Sequence, residues 1–142
     1  MASAPVSAAP DFEAAVLGED GIVHTSGQLP LIDGELAATG LVGRDVSVDV
    51  AARAARICTA NALAAAQAVA GGRRIERVIK LMGFVASAPG FHDQPAVMNG
   101  ASALLHEVLG AAGQHVRSAI GVAALPRNAS VEVELIVKLA SR

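Results

Sequence analysis

Residues 115–139 read HVRSAIGVAALPRNASVEVELIVKL, and this stretch decides the fold. Ala119–Ala124 is almost wholly apolar, and Leu125-Pro126-Arg127-Asn128 carries turn chemistry, with Pro fixing φ and Asn tolerating unusual backbone angles. Beyond it, Val131, Val133 and Leu135 alternate with Glu132 and Glu134, the period of a half-buried strand. Two strands joined by a turn are expected. If they pair as a hairpin, Arg117 falls within one or two residue rises (roughly 3.3 Å each) of the partner of Glu132. A guanidinium and a carboxylate so placed can hold a small anion and a water. The same pair also reads as a solvated cross-strand ion pair, which is common and weak.

Working outward, Arg117-Ser118-Ala119-Ile120-Gly121-Val122, then Leu125-Pro126, then Val131-Glu132-Val133-Glu134 resembles the C-terminal signature of the Rid family (YjgF-type proteins, often labelled endoribonuclease L-PSP). Thr25-Ser26-Gly27-Gln28-Leu29-Pro30 resembles that family's S-G-Q-x-P segment, in the same order and at a matching separation. The likeness covers nearly all of the chain after about residue 12.

The resemblance implies a chorismate-mutase-like fold and a homotrimer with pockets between subunits. It implies hydrolysis of reactive 2-imino acids or enamines to 2-keto acids and ammonia. By that likeness Arg117 clamps the substrate carboxylate, and Glu132 positions or deprotonates the attacking water. Gly27 and the backbone after Ser118 orient the substrate, and Ser26 and Asn99 match polar pocket positions. No cofactor and no metal are implied, because an imine carbon is already electrophilic. An Arg beside Glu132 would lower that carboxyl's pKa and favour water orientation over proton abstraction. The chain departs from the family pattern, as a divergent branch would: Phe12 is the nearest candidate for a Tyr near the first strand, Ala119 replaces a Cys, Ser102 replaces a Tyr, and the first hairpin turn is longer. These losses keep a second reading open, a non-catalytic binder of small carboxylates on the same trimer.

The composition sets bounds. The 142 residues fit one domain, with a mobile arm over Met1–Asp11 and a single unit over 12–142. A formal charge of −2 and a pI near 6.0 leave no electrostatic footprint for nucleic acid. The ribonuclease activity in the family's label therefore ranks low, there being no basic stripe, few aromatics and no evident His pair. His106 and His115, nine residues apart, are not a metal-ligand pattern. No apolar run reaches bilayer length and no signal peptide is evident, so no membrane contact is expected. One cysteine, Cys58, excludes an internal disulfide and fits a reducing, cytoplasmic setting. Within an Ala-rich helical run it reads as a buried, inert thiol. A mean hydropathy of +0.49 is high for a small soluble monomer and suggests apolar surface between subunits.

The remaining elements follow from pattern. Phe12–Leu17 and Ile22–Ser26 read as strands about a Gly18–Gly21 turn, and Leu29–Gly40 as a loop or short hairpin. Ser47–Ala70 reads as a helix capped by Ser47 and ended by Gly71-Gly72. Ile75–Ala86 reads as a central strand covered on both faces, in which Gly83 marks a bulge or a close approach. Asp93–Leu109 reads as a second helix, with Asp93 as cap and Pro95 in its first turn. The sum is an α+β two-layer sandwich, a mixed sheet with two helices on one face. No helix is left over for the other face.

Overall fold

The computed structural model describes residues 11–142. The expected arm over Met1–Asp11 lies outside them, apart from Asp11 itself. The elements are β1 (Ala15–Leu17), β2 (Ile22–Thr25), β3 (Leu31–Ile32), β4 (Glu35–Leu36), α1 (Val48–Ala68), β5 (Ile75–Ala86), α2 (Gln94–Leu109), β6 (Val116–Val122) and β7 (Val131–Leu139). Short 3-10 turns occupy Gly110–Gly113 and Pro126–Asn128. The α+β sandwich is present, with both helices on one face of a mixed sheet.

The sheet order is β1-β2-β7-β5-β6, which corrects the expected hairpin. β6 and β7 do not pair. β5 lies between them, parallel to β6 and antiparallel to β7. A parallel pair cannot be joined by a tight turn, and α2 supplies the crossover from β5 to β6. The chain then passes from β6 across the end of β5 to β7, two strand spacings away. Arg127 and Asn128, at φ 58° and 62°, make the required left-handed turn. Alternation along each strand was legible; adjacency in sequence was mistaken for adjacency in the sheet.

α1 forms where the pattern places it. The Ser47 hydroxyl accepts from the Val50 amide at 3.2 Å, and Asp49 sits in the positively polarised first turn. Gly71 and Gly72, at φ 62° and 80°, carry the chain away. The buried stripe is Ala51, Ala54, Ala55, Cys58, Thr59, Ala62, Leu63 and Ala66. Small side chains let α1 approach its neighbours closely. A Cβ placed on Gly100 of α2 would overlap the Ala52 backbone carbonyl, so the two helices meet there without side chains between them. Pro95 stands in the first turn of α2, while the Asp93 side chain caps no amide among the described residues.

One face of the sheet carries the core. Val131, Val133, Leu135, Val137 and Leu139 of β7 are each at most 1% exposed, beside Val78, Leu81 and Val85 of β5. At about 1.5–3 kcal/mol per buried side chain, β7 alone contributes on the order of 10 kcal/mol, comparable with a domain's whole net stability. Gly83 sits on this face as a close approach, not a bulge, because a Cβ there would collide with the Met98 thioether. The register shifts of β5 fall instead at Ile75/Arg77 and Val78/Lys80.

Among the described residues nothing covers the other face, so the expectation that β5 is covered twice is not met by them. Register aligns three rows across it: Val16, His24, Ile136, Lys80 and Val116; then Glu134, Met82 and Ser118; then Glu132, Phe84 and Ile120. A depression of about 110 Å³ lies among Lys80, Met82, Glu134 and Ile136. Val16, Val116 and Ile120 are 53%, 63% and 43% exposed. Among the described residues no helix is long and apolar enough to cross a membrane.

Candidate functional site in two halves

Glu132 stands near the start of β7, beyond the end of β2. There Gln28 takes over the pairing and exchanges both backbone hydrogen bonds with Val133, at 2.8 and 3.1 Å. This brings Gly27 directly under the Glu132 side chain. A Cβ at Gly27 would overlap the carboxylate, so glycine is what leaves room for it. Asn61 of α1 steadies the chain that follows, donating to the Leu29 and Leu31 carbonyls at 3.1 Å each. The Ser26 hydroxyl donates to the Glu13 carbonyl at 2.6 Å and so ties the loop to the β1 edge. Burial, helped by the charge of Glu134, pushes the Glu132 carboxyl above its ordinary value. The sequence implied the reverse shift, with Arg117 as its cause, and the fold corrects it by holding Arg117 away.

Arg117 occupies β6, the sheet's edge strand. Its register partner is Leu81, on the core face, whereas Glu132 is level with Phe84 on the open face. Two strand widths and three residues separate them, about 14 Å between backbones, through opposite faces of the sheet. One chain's Arg117 and Glu132 therefore cannot hold the same small molecule.

Around Arg117 stands a built set of partners. Its Nη1 donates to Asn99 Oδ1 at 2.9 Å and to Ser102 Oγ at 3.2 Å. Ser102 Oγ lies 2.9 Å from His115 Nε2, and His115 Nδ1 lies 2.6 Å from the Gly113 carbonyl. A carbonyl only accepts, so Nδ1 carries a proton. In the neutral ring Nε2 then accepts the Ser102 hydroxyl. Both Nη1 hydrogens of Arg117 are thus directed. Among the described residues its Nε and Nη2 have no hydrogen-bond partner, and Arg117 forms no ion pair. That edge is a planar fork of the shape a carboxylate accepts.

Of the residues expected at the site, Asn99 joins Arg117, and Gly27 joins Glu132. Ser118 lies on the open face in the row of Met82 and Glu134, apart from both clusters, and Ser26 points to β1. Ser102 was noted only as a departure from the family pattern. His115 was set aside with His106, yet their rings stand 5.7 Å apart at 33°. The turn Gly110–Gly113 doubles the chain back between them, which no spacing rule reveals. Both ring nitrogens of His115 are nonetheless already hydrogen-bonded. Cys58 is buried as expected. Burial, with the Glu132 charge adding to it, raises its thiol far above the ordinary value.

Set beside known proteins, residues 6–139 match the sequence profile of the YjgF/chorismate mutase-like family, which also carries an endoribonuclease label. The chain belongs to this family. Protein TCP17 of Trypanosoma cruzi is 44% identical over 119 residues, 82% of this chain and 74% of that one. Among YjgF-like structures, the Agrobacterium tumefaciens protein Atu1372, of unknown function, is 48% identical with a TM-score of 0.89, over 94% of this chain and 85% of that one. The E. coli protein TdcF with bound serine is 26% identical with a TM-score of 0.65, over 97% and 94% of the two chains.

Proposed function

We propose that the protein binds small 2-imino and 2-keto acids in a pocket shared by two copies of the chain and hydrolyses the imines to keto acid and ammonia. The observation that carries this reading is Arg117, pre-set by Asn99 and Ser102 with its Nε–Nη2 edge facing no carboxylate among the described residues. Such a fork takes the carboxylate of a small acid bidentately. TdcF, a family relative, holds serine, which bears the same group.

The chemistry asks for a base near the imine carbon. Within its own chain the Glu132 carboxyl is held above its ordinary value by burial and by Glu134, which suits a water-activating role; the substrate carboxylate offsets the charge of the Arg117 that binds it. The water loses a proton to Glu132 as its oxygen bonds to the iminium carbon. The proton then passes to the nitrogen, the C–N bond breaks as Glu132 takes the hydroxyl proton, and ammonia leaves with the keto acid behind. Because Arg117 and Glu132 diverge within one chain, the reading places Arg117 of one copy opposite Glu132 of another. A closed ring satisfies every copy at once, and a homotrimer is the assembly we propose. The uncovered face and the unpaired edge of β6 both ask for such a partner.

A second reading, binding without turnover, draws support from Ala119. It packs against the core at a position where the family pattern carries a thiol. The two readings part on one assay, keto acid release from 2-iminopropionate generated in situ, with thermal protection by 2-oxobutyrate measured in parallel. Faster release supports the deaminase. Protection without release supports the binder. RNA cleavage in place of both overturns the proposal.

A further inference from the structure

We propose that Ser102 and His115 are positioning residues that lock the Arg117 guanidinium in its carboxylate-accepting orientation. This rests on the reading of Arg117 as the carboxylate clamp. An arginine on an edge strand has several soft torsions and a side chain that ordinarily roams, and fixing it on binding costs affinity. Here the order is built in advance. The Gly113 carbonyl sets the His115 tautomer at 2.6 Å, His115 Nε2 accepts a hydrogen bond from the Ser102 hydroxyl at 2.9 Å, and the Ser102 oxygen is thereby aimed at Arg117 Nη1 at 3.2 Å. Asn99 takes the other Nη1 hydrogen at 2.9 Å. The His106 ring, 5.7 Å from that of His115, packs beside it.

The direction of each bond matters. In the tautomer whose Nδ1 donates to Gly113, Nε2 is the accepting nitrogen, so the Ser102 hydroxyl turns its hydrogen toward the ring and its lone pairs toward the guanidinium. Without the imidazole that hydroxyl can rotate, and one of the two holds on Nη1 weakens. The residues act through Arg117 and touch no substrate themselves. Three elements contribute: α2 gives Asn99, Ser102 and His106, β6 gives Arg117, and the turn before β6 gives Gly113 and His115.

The test compares wild type with Ser102→Ala, Ser102→Thr, His115→Phe and His115→Gln. Calorimetry with 2-oxobutyrate and initial rates on 2-iminopropionate read function. Relaxation of the Arg117 Nε–Hε group in the ligand-free protein reads order, with its resonance assigned by its loss in Arg117→Lys. Ser102→Ala and His115→Phe are expected to weaken affinity and raise KM about tenfold with kcat within about twofold, the size of one hydrogen bond to a charged group. Their Arg117 Nε–Hε group becomes mobile. Ser102→Thr restores the hydroxyl, and His115→Gln an acceptor, so both recover most of the affinity and the order. A merely structural role would move the melting temperature but not these readouts. An Arg117 Nε–Hε group equally rigid in His115→Phe, with unchanged affinity, overturns the proposal. If wild type neither binds nor hydrolyses these acids, the functional reading falls, and the relaxation measurement still decides the relay.

Discussion

Arg117 and Glu132 leave one sheet through opposite faces, with Leu81 and Phe84 of β5 standing between their strands. A site that needs both must draw them from different copies. Arg117→Ala and Glu132→Gln, each inactive alone, should therefore complement when mixed and reassembled. In random equal mixtures about one half times one half, or a quarter, of the pockets regain both native groups. Rates of keto acid release over a mixing series measure this. No recovery in mixed oligomers would place both residues in one chain's pocket and contradict the geometry.

The pH behaviour of Glu132 separates activity from stability. Its carboxyl titrates above the ordinary 4.5 because burial and Glu134 disfavour the charge. The folded state thus holds this proton more tightly than the unfolded chain. Stability falls as pH rises from 4.5 through the raised value, and the penalty is complete above it. In an Arg117→Ala background, where no guanidinium of another copy faces the carboxyl, Glu132→Gln is expected to raise the melting temperature at pH 7, a gain that vanishes below pH 4.5. Wild-type activity runs the other way, rising with pH as the base is freed. Calorimetric scans across pH check the first, and a rate profile the second. A melting-temperature gain that grows on acidification would refute the assignment.

Gly27→Ala tests the seat of that carboxylate. The added methyl meets the Glu132 side chain, a flexible neighbour, so the fold should survive while the carboxylate is displaced. Displacement on the order of 1 Å costs about a hundredfold in rate. Activity reduced that far with an unchanged circular dichroism spectrum is the expected result.

Gly100→Ala sets two effects against each other. Alanine favours a helix by about 1 kcal/mol over glycine. Here its Cβ would run into the Ala52 main chain, which cannot swing aside. Overpacking of this kind costs about 1–3 kcal/mol, so the net change should be destabilising, readable by urea unfolding. A more stable Gly100→Ala would mean that α1 and α2 sit further apart than described.

Much of this was legible beforehand because the signals are local. Ser47 caps α1, Gly71-Gly72 end it, and alternation from Val131 to Leu139 marks β7, each a matter of neighbours in sequence. The failure of the hairpin was one of topology. β5 matches both β6 and β7, and nothing within 115–139 announces a strand from residues 75–86 lying between them. The site shows the same division. Arg117 and Glu132 stood out from the strand pattern and Gly27 and Asn99 were expected from a family likeness, whereas Ser102 and His115 come together only through the Gly110–Gly113 turn. Within one chain the shift at Glu132 runs opposite to the expected one, since the strand that separates β6 from β7 holds that chain's own Arg117 away.

The place of β7 bears on how the protein is made. β1–β2 and β5–β6 flank it and touch no common strand but this one, and it is the last of them to be translated. Two half-sheets must wait on the ribosome with unsatisfied edges until residues 131–139 emerge and slot between them. Such long-range closure is slow and leaves strands open to wrong partners in the meantime. Slow closure of β7 between its neighbours, set by this strand order, is therefore the folding step most open to error.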